Sequence, residues 1–190
     1  IHGNTTIVFE GKPVGTPDAG TFWRVISEHK VRSFFTAPTA LRAIKRDDPE
    51  AKELAKYDIS HLRALYLAGE RADPDTIQWA ADKMGVPVYD HWWQTETGWT
   101  IAGNPAGCEA LPVKIGSPTV AMPGYDVRIL DEGGHEVPPG TLGAIAVRLP
   151  LPPGTLPTLW NAETRYRKSY LDTFPGYYET GDAGMKDEDG

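Results

Sequence analysis

The sequence holds one cysteine, Cys108, so no internal disulfide can form, and a lone thiol fits a reducing compartment better than a secretory one. With no histidine near it in sequence, Cys108 reads as an inert packing residue and not a nucleophile. The five histidines, at 2, 29, 61, 91 and 135, show none of the spacings that ligate a metal, which argues against a zinc site. Positive charge is also in the minority. The 19 basic against 26 acidic residues leave a net charge of -7, the wrong sign for a general nucleic-acid or anionic-membrane binder. An anionic ligand must therefore be met by local donors or by a metal. Apolar runs stay far short of the roughly 20 residues that span a bilayer, and no charged-then-apolar leader opens the chain. A soluble, cytoplasmic protein is expected. Gly-rich phosphate loops of both standard patterns are missing as well.

What is present is ample for a core: 190 residues, 40% hydrophobic, enough for one large domain or two small lobes, with 20 Gly and 17 Pro marking many loops. "TTIVF", "VRSFFTA", "LRALYLA" and "VPVYD" are short runs rich in β-branched and aromatic residues, as in strands buried on both faces. Helical stretches separate them. In "DPDTIQWAADKMG" Asp73 suits the N-cap and Pro74 the first turn, Ile77, Ala80, Ala81 and Met84 share a face, and Gly85 stops the helix. Alternating strands and helices to about residue 90 predict a parallel sheet with crossover helices, an α/β class.

The pattern then changes. Tyr125, Val127 and Ile129 share one face of "YDVRILD", and Ile145, Val147 and Leu149 share one face of "GAIAVRL", predicting an antiparallel β-lobe. We place an α/β subdomain over 1–112 and a β-rich subdomain over 113–190. "LPLPPGTLPTLW", with four prolines, is expected to be an extended loop, and Asn161 to cap a short helix through Tyr170. Both ends look cut, since the chain opens on strand-like sequence and stops at the turn signal "DEDG".

Ligands of open parallel sheets bind beyond the carboxyl ends of the strands, and "LAGER" and "YDHWWQTETG" both begin where a strand ends. These loops are expected to face one crevice. There Gly69 would let backbone approach a ligand, a Trp would offer a flat face to a purine, Thr95 would donate to a phosphate oxygen, and Glu96 would hold Mg²⁺. Plainer readings stand beside these. Each Trp can be core filler, Glu96 a solvated or capping carboxylate, and "ETGD" at 179–182 a polar turn favoured by Asp182.

"FFTAPTALR", "LAGER", "YDHWWQTETG" and "PGYYETGDAG", in that order, resemble the acetyl- and propionyl-CoA synthetase branch of the adenylate-forming enzymes. The double Trp before QTETG is specific to that branch, and Y-x-T-G-D marks the wider superfamily; the likeness runs along essentially the whole chain. It implies part of the large N-terminal domain of a two-step ligase using ATP, Mg²⁺ and CoA. A short-chain carboxylate attacks the α-phosphate of ATP, releasing pyrophosphate, and the CoA thiol then displaces AMP. Carried over residue by residue, Gly69, Glu70 and Arg71 would line one side of adenine and Asp90, His91 and Trp92 the other. Trp93 and Ala68 would shape the acyl pocket, Thr95 would touch phosphate, Glu96 would ligate Mg²⁺, and Asp182 would accept from the ribose hydroxyls. Ala37 would lie near the path of the CoA thiol. Where acetate-type enzymes read V-G-E-P, this chain has Ala68-Gly69-Glu70-Arg71, and the smaller Ala68 favours the propionyl type over an acetate-specific member. The family's phosphate loop would lie upstream of Ile1, and its hinge, further arginines and catalytic lysine beyond Gly190. The parent is then an acid-CoA ligase, and the 190-residue chain alone is expected to be inactive. A competing reading is a non-catalytic module with Trp92, Trp93 and Trp99 as an aromatic platform for a sugar or peptide. Such a platform needs exposed rings, whereas the end of an apolar strand predicts buried ones.

Overall fold

A computed structural model describes residues 3–190. The chain divides into two compact units, Ile1–Val88 and Tyr89–Gly190. Antiparallel pairing begins at Trp92.

In the first unit, β1 (Ser33–Thr36) and β2 (Ala64–Leu67) pair in parallel, Phe34 opposite Leu65. Parallel neighbours need a crossover, and α2 (Pro38–Asp47) with a short 3₁₀ turn (Leu54–Lys56) supplies it. The sheet order is β1-β2-β3, with β3 spanning Val88–Asp90. α1 (Thr21–Glu28) and α3 (Pro74–Met84) complete the unit. Trp23, Leu41, Ile44, Leu65, Leu67, Ile77, Ala80 and Val88 form its buried core. α3 starts and stops where the sequence says. The Asp73 carboxylate accepts from the Thr76 N–H at 2.8 Å, and Gly85 closes the helix at φ 66°.

"TTIVF" is not a strand. Residues 5–9 take no regular structure and Val8 is 89% exposed, because the run finds no ladder partner among the described residues. Phe9 is held instead by an edge-on contact with Phe22, ring centroids 5.8 Å apart.

The second unit holds two three-stranded sheets. One orders β4 (Trp92–Trp93), β5 (Thr100–Gly103) and β6 (Val120–Ala121), antiparallel throughout. The other orders β7 (Val127–Leu130), β8 (Gly143–Arg148) and β9 (Tyr177–Gly184), also antiparallel. Val127 faces Val147 and Ile129 faces Ile145, as their shared faces predicted. Leu149 departs from that face: it lies past the end of β8 and is 37% exposed.

Residues 149–160 are irregular, and α4 (Glu163–Tyr170) follows. Asn161 is not its cap. It sits at φ 51°, a left-handed turn position, and Ala162 occupies the N-cap without a side-chain acceptor. Cys108 is exposed in the turn after Pro105, so it is not the packing residue expected. Among the described residues no helix is long and apolar enough to cross a membrane.

Candidate functional site

In the first unit the chemistry gathers where β1 and β2 end. Ala68 is buried and extends the pairing through its N–H to Thr36 O, 3.4 Å. Gly69 follows at φ 100°, and a Cβ there would meet nothing within 4 Å. Backbone conformation, not crowding, therefore demands glycine, and the backbone stays approachable. Ala37, expected near the CoA path, is the exposed N-cap of α2. Glu70 reaches back to that helix. Its Oε1 accepts from the Thr39 N–H at 2.8 Å and from the Thr39 hydroxyl, and its Oε2 from Arg42 at 2.7 Å. The Thr39 hydroxyl foremost, then Arg42 and the Thr39 N–H, hold the Glu70 carboxyl below its ordinary range despite some desolvation. Arg71 is exposed.

In the second unit "WWQTETG" and "YETGD" meet side chain to side chain, and Gln94 is the hub. Its Nε2 donates to Asp182 Oδ2 at 2.8 Å and to Thr180 O at 2.7 Å, while its Oε1 accepts from the Tyr178 hydroxyl at 3.0 Å. Both amide hydrogens are used, which fixes the orientation of the group. Trp92 Nε1 adds a second bond to Asp182 Oδ2 at 3.2 Å. Bonds from Gln94 and Trp92 thus converge on one oxygen of Asp182, and the residue is exposed.

A bulge delivers Asp182 to this point. Between the pairs Ala146↔Glu179 and Ala144↔Ala183, β9 carries extra residues, and Gly181 turns the chain at φ 74°. Thr180 mends the interrupted ladder, its hydroxyl donating to Ile145 O at 2.7 Å and accepting from the Asp182 N–H at 3.1 Å. The sequence Thr-Gly-Asp is thereby explained position by position. Below it, Tyr178 is buried and stacks on Tyr170, centroids 5.5 Å apart at 10°. Burial first, then the Glu96 charge, pushes the Tyr178 hydroxyl upward, so it stays a neutral donor.

Glu96 and Thr97 sit in the tight turn closed by the Thr97 N–H to Gln94 O at 3.1 Å. Glu96 Oε1 accepts from the Tyr170 hydroxyl at 3.0 Å. Buried Thr97 braces the turn through its hydroxyl, 2.9 Å from Gln94 O and 2.8 Å from Trp99 O. Thr95 is exposed on the same turn. Asp90 takes the His91 N–H at 3.0 Å, yet burial pushes its carboxyl up to about 6. His91 packs on Gly103, where a Cβ would lie 3.1 Å from its Cδ2. Trp93 and Trp99 are 41% and 66% exposed, so the rings expected to be buried are not.

Gln94, Tyr170, Tyr178 and Thr180 carry this site without having been singled out. Gln94, Tyr178 and Thr180 lie inside the quoted motifs, whereas Tyr170 carries no local signal.

Residues 1–155 match the family described as AMP-binding enzyme. The chain belongs to this family. It is 50% identical over 188 residues to an uncharacterised Pseudomonas aeruginosa protein and 47% identical over 191 residues to human acyl-CoA synthetase short-chain family member 3, mitochondrial. With the propionate–CoA ligase of Escherichia coli it shares 42% over 192 residues. These alignments take in 99–100% of the chain but 28–30% of each relative, so the chain spans under a third of their length. The amide bond synthetase McbA from Marinactinospora thermotolerans has the same fold over 90% of this chain and 32% of its own, at TM-score 0.73 and 26% identity. The α/β arrangement with antiparallel sheets is thus that of an adenylate-forming enzyme's N-terminal domain.

Proposed function

We propose that the chain is part of an ATP-dependent short-chain acyl-CoA synthetase that adenylates a small carboxylate, propionate in preference to acetate, and passes the acyl group to CoA. The observation that carries this reading is the joining of two family motifs at Asp182, whose Oδ2 is held by Trp92 and Gln94. A carboxylate fixed at one oxygen suits reception of a ribose hydroxyl at the other.

Mg²⁺ fits the residues present. Among the described residues no three His, Cys, Asp or Glu side chains gather for a metal, and Mg²⁺ characteristically takes one or two carboxylates with substrate phosphates completing its shell. Glu96, with Oε1 steadied by Tyr170, would supply that carboxylate, and the ion would neutralise phosphate charge. Thr95, on the same turn, would donate to phosphate. Gly69 and Arg71 are proposed as nucleotide-binding residues, as are Asp90, His91 and Trp92. The residues' contribution is positional and electrostatic, holding donors and charges ready for the reacting groups.

Pyrophosphate exchange by the full-length protein tests this. Asp182→Ala should weaken ATP binding, since a charged acceptor is worth roughly 1.5–3 kcal/mol. Wild-type protein that exchanges pyrophosphate with no short-chain carboxylate would overturn the reading. The propionate preference rests on Ala68. Ala68→Val should lower the propionate-to-acetate ratio of kcat/KM by roughly tenfold, about the value of one methylene in an apolar pocket. An unchanged ratio would leave an acetate-specific enzyme equally suited.

A further inference from the structure

We propose that Arg42 and Glu70 are positioning residues that lock the loop after β2 onto the start of α2, and that Glu70 serves the nucleotide through this lock without touching the base. The inference rests on the ligase reading above. α2 opens on Ala37, whose methyl offers no acceptor, so its first-turn N–H groups lack a local cap. The acceptor comes from 31 residues away, as Glu70 Oε1 takes the Thr39 N–H at 2.8 Å and the Thr39 hydroxyl as well. A negative group at a helix start is also where the helix dipole favours it.

Arg42, one turn into the same helix, closes the lock. Its Nη2 donates to Glu70 Oε2 at 2.7 Å and to the Thr39 hydroxyl at 2.9 Å, and its Nη1 to Asp73 Oδ2 at 3.2 Å. Asp73 is the cap of α3. One guanidinium thus ties the starts of two helices to the loop that joins β2 to the second of them. As an isolated ion pair, with both side chains 38% exposed, Arg42–Glu70 would contribute little. Its consequence is geometric: both Glu70 oxygens are engaged, while Gly69 beside them keeps open, approachable backbone.

Amide hydrogen exchange on the full-length protein reads the lock with no nucleotide present. Glu70→Ala and Arg42→Ala should each speed exchange at the Thr39 N–H, the former roughly tenfold, about what one bond to a charged acceptor sustains. Glu70→Gln, which keeps an acceptor, should have a smaller effect. The double variant should exchange no faster than Glu70→Ala, since members of one network are not additive. Unchanged exchange in the single variants, or fully additive effects, would overturn the lock. In the full-length protein, Glu70→Ala and Arg42→Ala should raise KM for ATP and the competitive inhibition constant of GTP together, with their ratio unchanged. An altered ratio would mean that the carboxylate reads the base, and would overturn the positioning role. Absence of ATP-dependent activity in the wild type would instead overturn the ligase reading and leave the exchange result standing.

Discussion

At Gln94 one neutral amide satisfies a carboxylate, a peptide carbonyl and a phenol together, and only a carboxamide offers two donors and an acceptor in one plane. Gln94→Glu keeps the shape but replaces donors with a second negative charge 2.8 Å from Asp182. We expect a loss of about 1–3 kcal/mol in urea unfolding of the chain at pH 7, fading below the ordinary carboxylate range where the repulsion is neutralised. A loss independent of pH would show that the missing N–H donors and not the charge are at stake. Asp90 gives a pH signature of the other sign. Burial raises its folded value from 3.8 to about 6, so between these limits the folded chain binds more protons than the unfolded one. Stability contributed by this group therefore falls as pH rises through the window, and the penalty is complete above it. Asp90→Asn, which cannot ionise, should be more stable than wild type at pH 7.5 and lose that advantage below pH 4. Urea titrations at both pH values measure the gap.

Among the elements, α3 was legible from end to end because its cap, proline, apolar face and terminal glycine all act within a few residues of one another. The β7–β8 pair was legible for a like reason, alternation being local. "TTIVF" misled because a strand is defined by its partner, which a run of residues does not disclose. The hub at Gln94 was hidden for the same cause: its partners lie 84 to 88 residues on. Nor could the sequence show that Glu70 caps α2 across 31 residues. Gly143, at the head of β8, is a case the structure alone explains, since a Cβ there would stand 2.5 Å from Leu130 O. Backbone cannot yield as a flexible side chain can, so Gly143→Ala should force the strands apart. A loss of about 1–3 kcal/mol is expected, the usual range for overpacking, with m-value unchanged in urea unfolding. Retention of wild-type stability would mean that β7 and β8 approach less closely than the structure has them.

For the molecule as a whole, the question is how much chemistry this length of chain can perform. It carries net charge -7 and spans under a third of its relatives, and the adenylation proposed for its parent would require a site that holds a triphosphate of the same sign. Its sequence contains neither standard Gly-rich phosphate-loop pattern, the usual cradle of backbone donors that offsets such repulsion. What it does contain is a carboxylate at Asp182 held by Trp92 and Gln94, another at Glu96 held by Tyr170, and an exposed Thr95, the residues proposed for a ribose, a metal and one phosphate contact. A single preorganised donor is worth about 2.7–4 kcal/mol in such a site, or roughly 10²–10³ in rate. On this reading the 190-residue chain should show no acetate- or propionate-dependent pyrophosphate exchange above a no-protein control with ATP and Mg²⁺, whereas the full-length protein should exchange readily. Carboxylate-dependent turnover by the purified chain would show that its own residues suffice for adenylation, and would move the phosphate donors from the rest of the protein into these 190 residues.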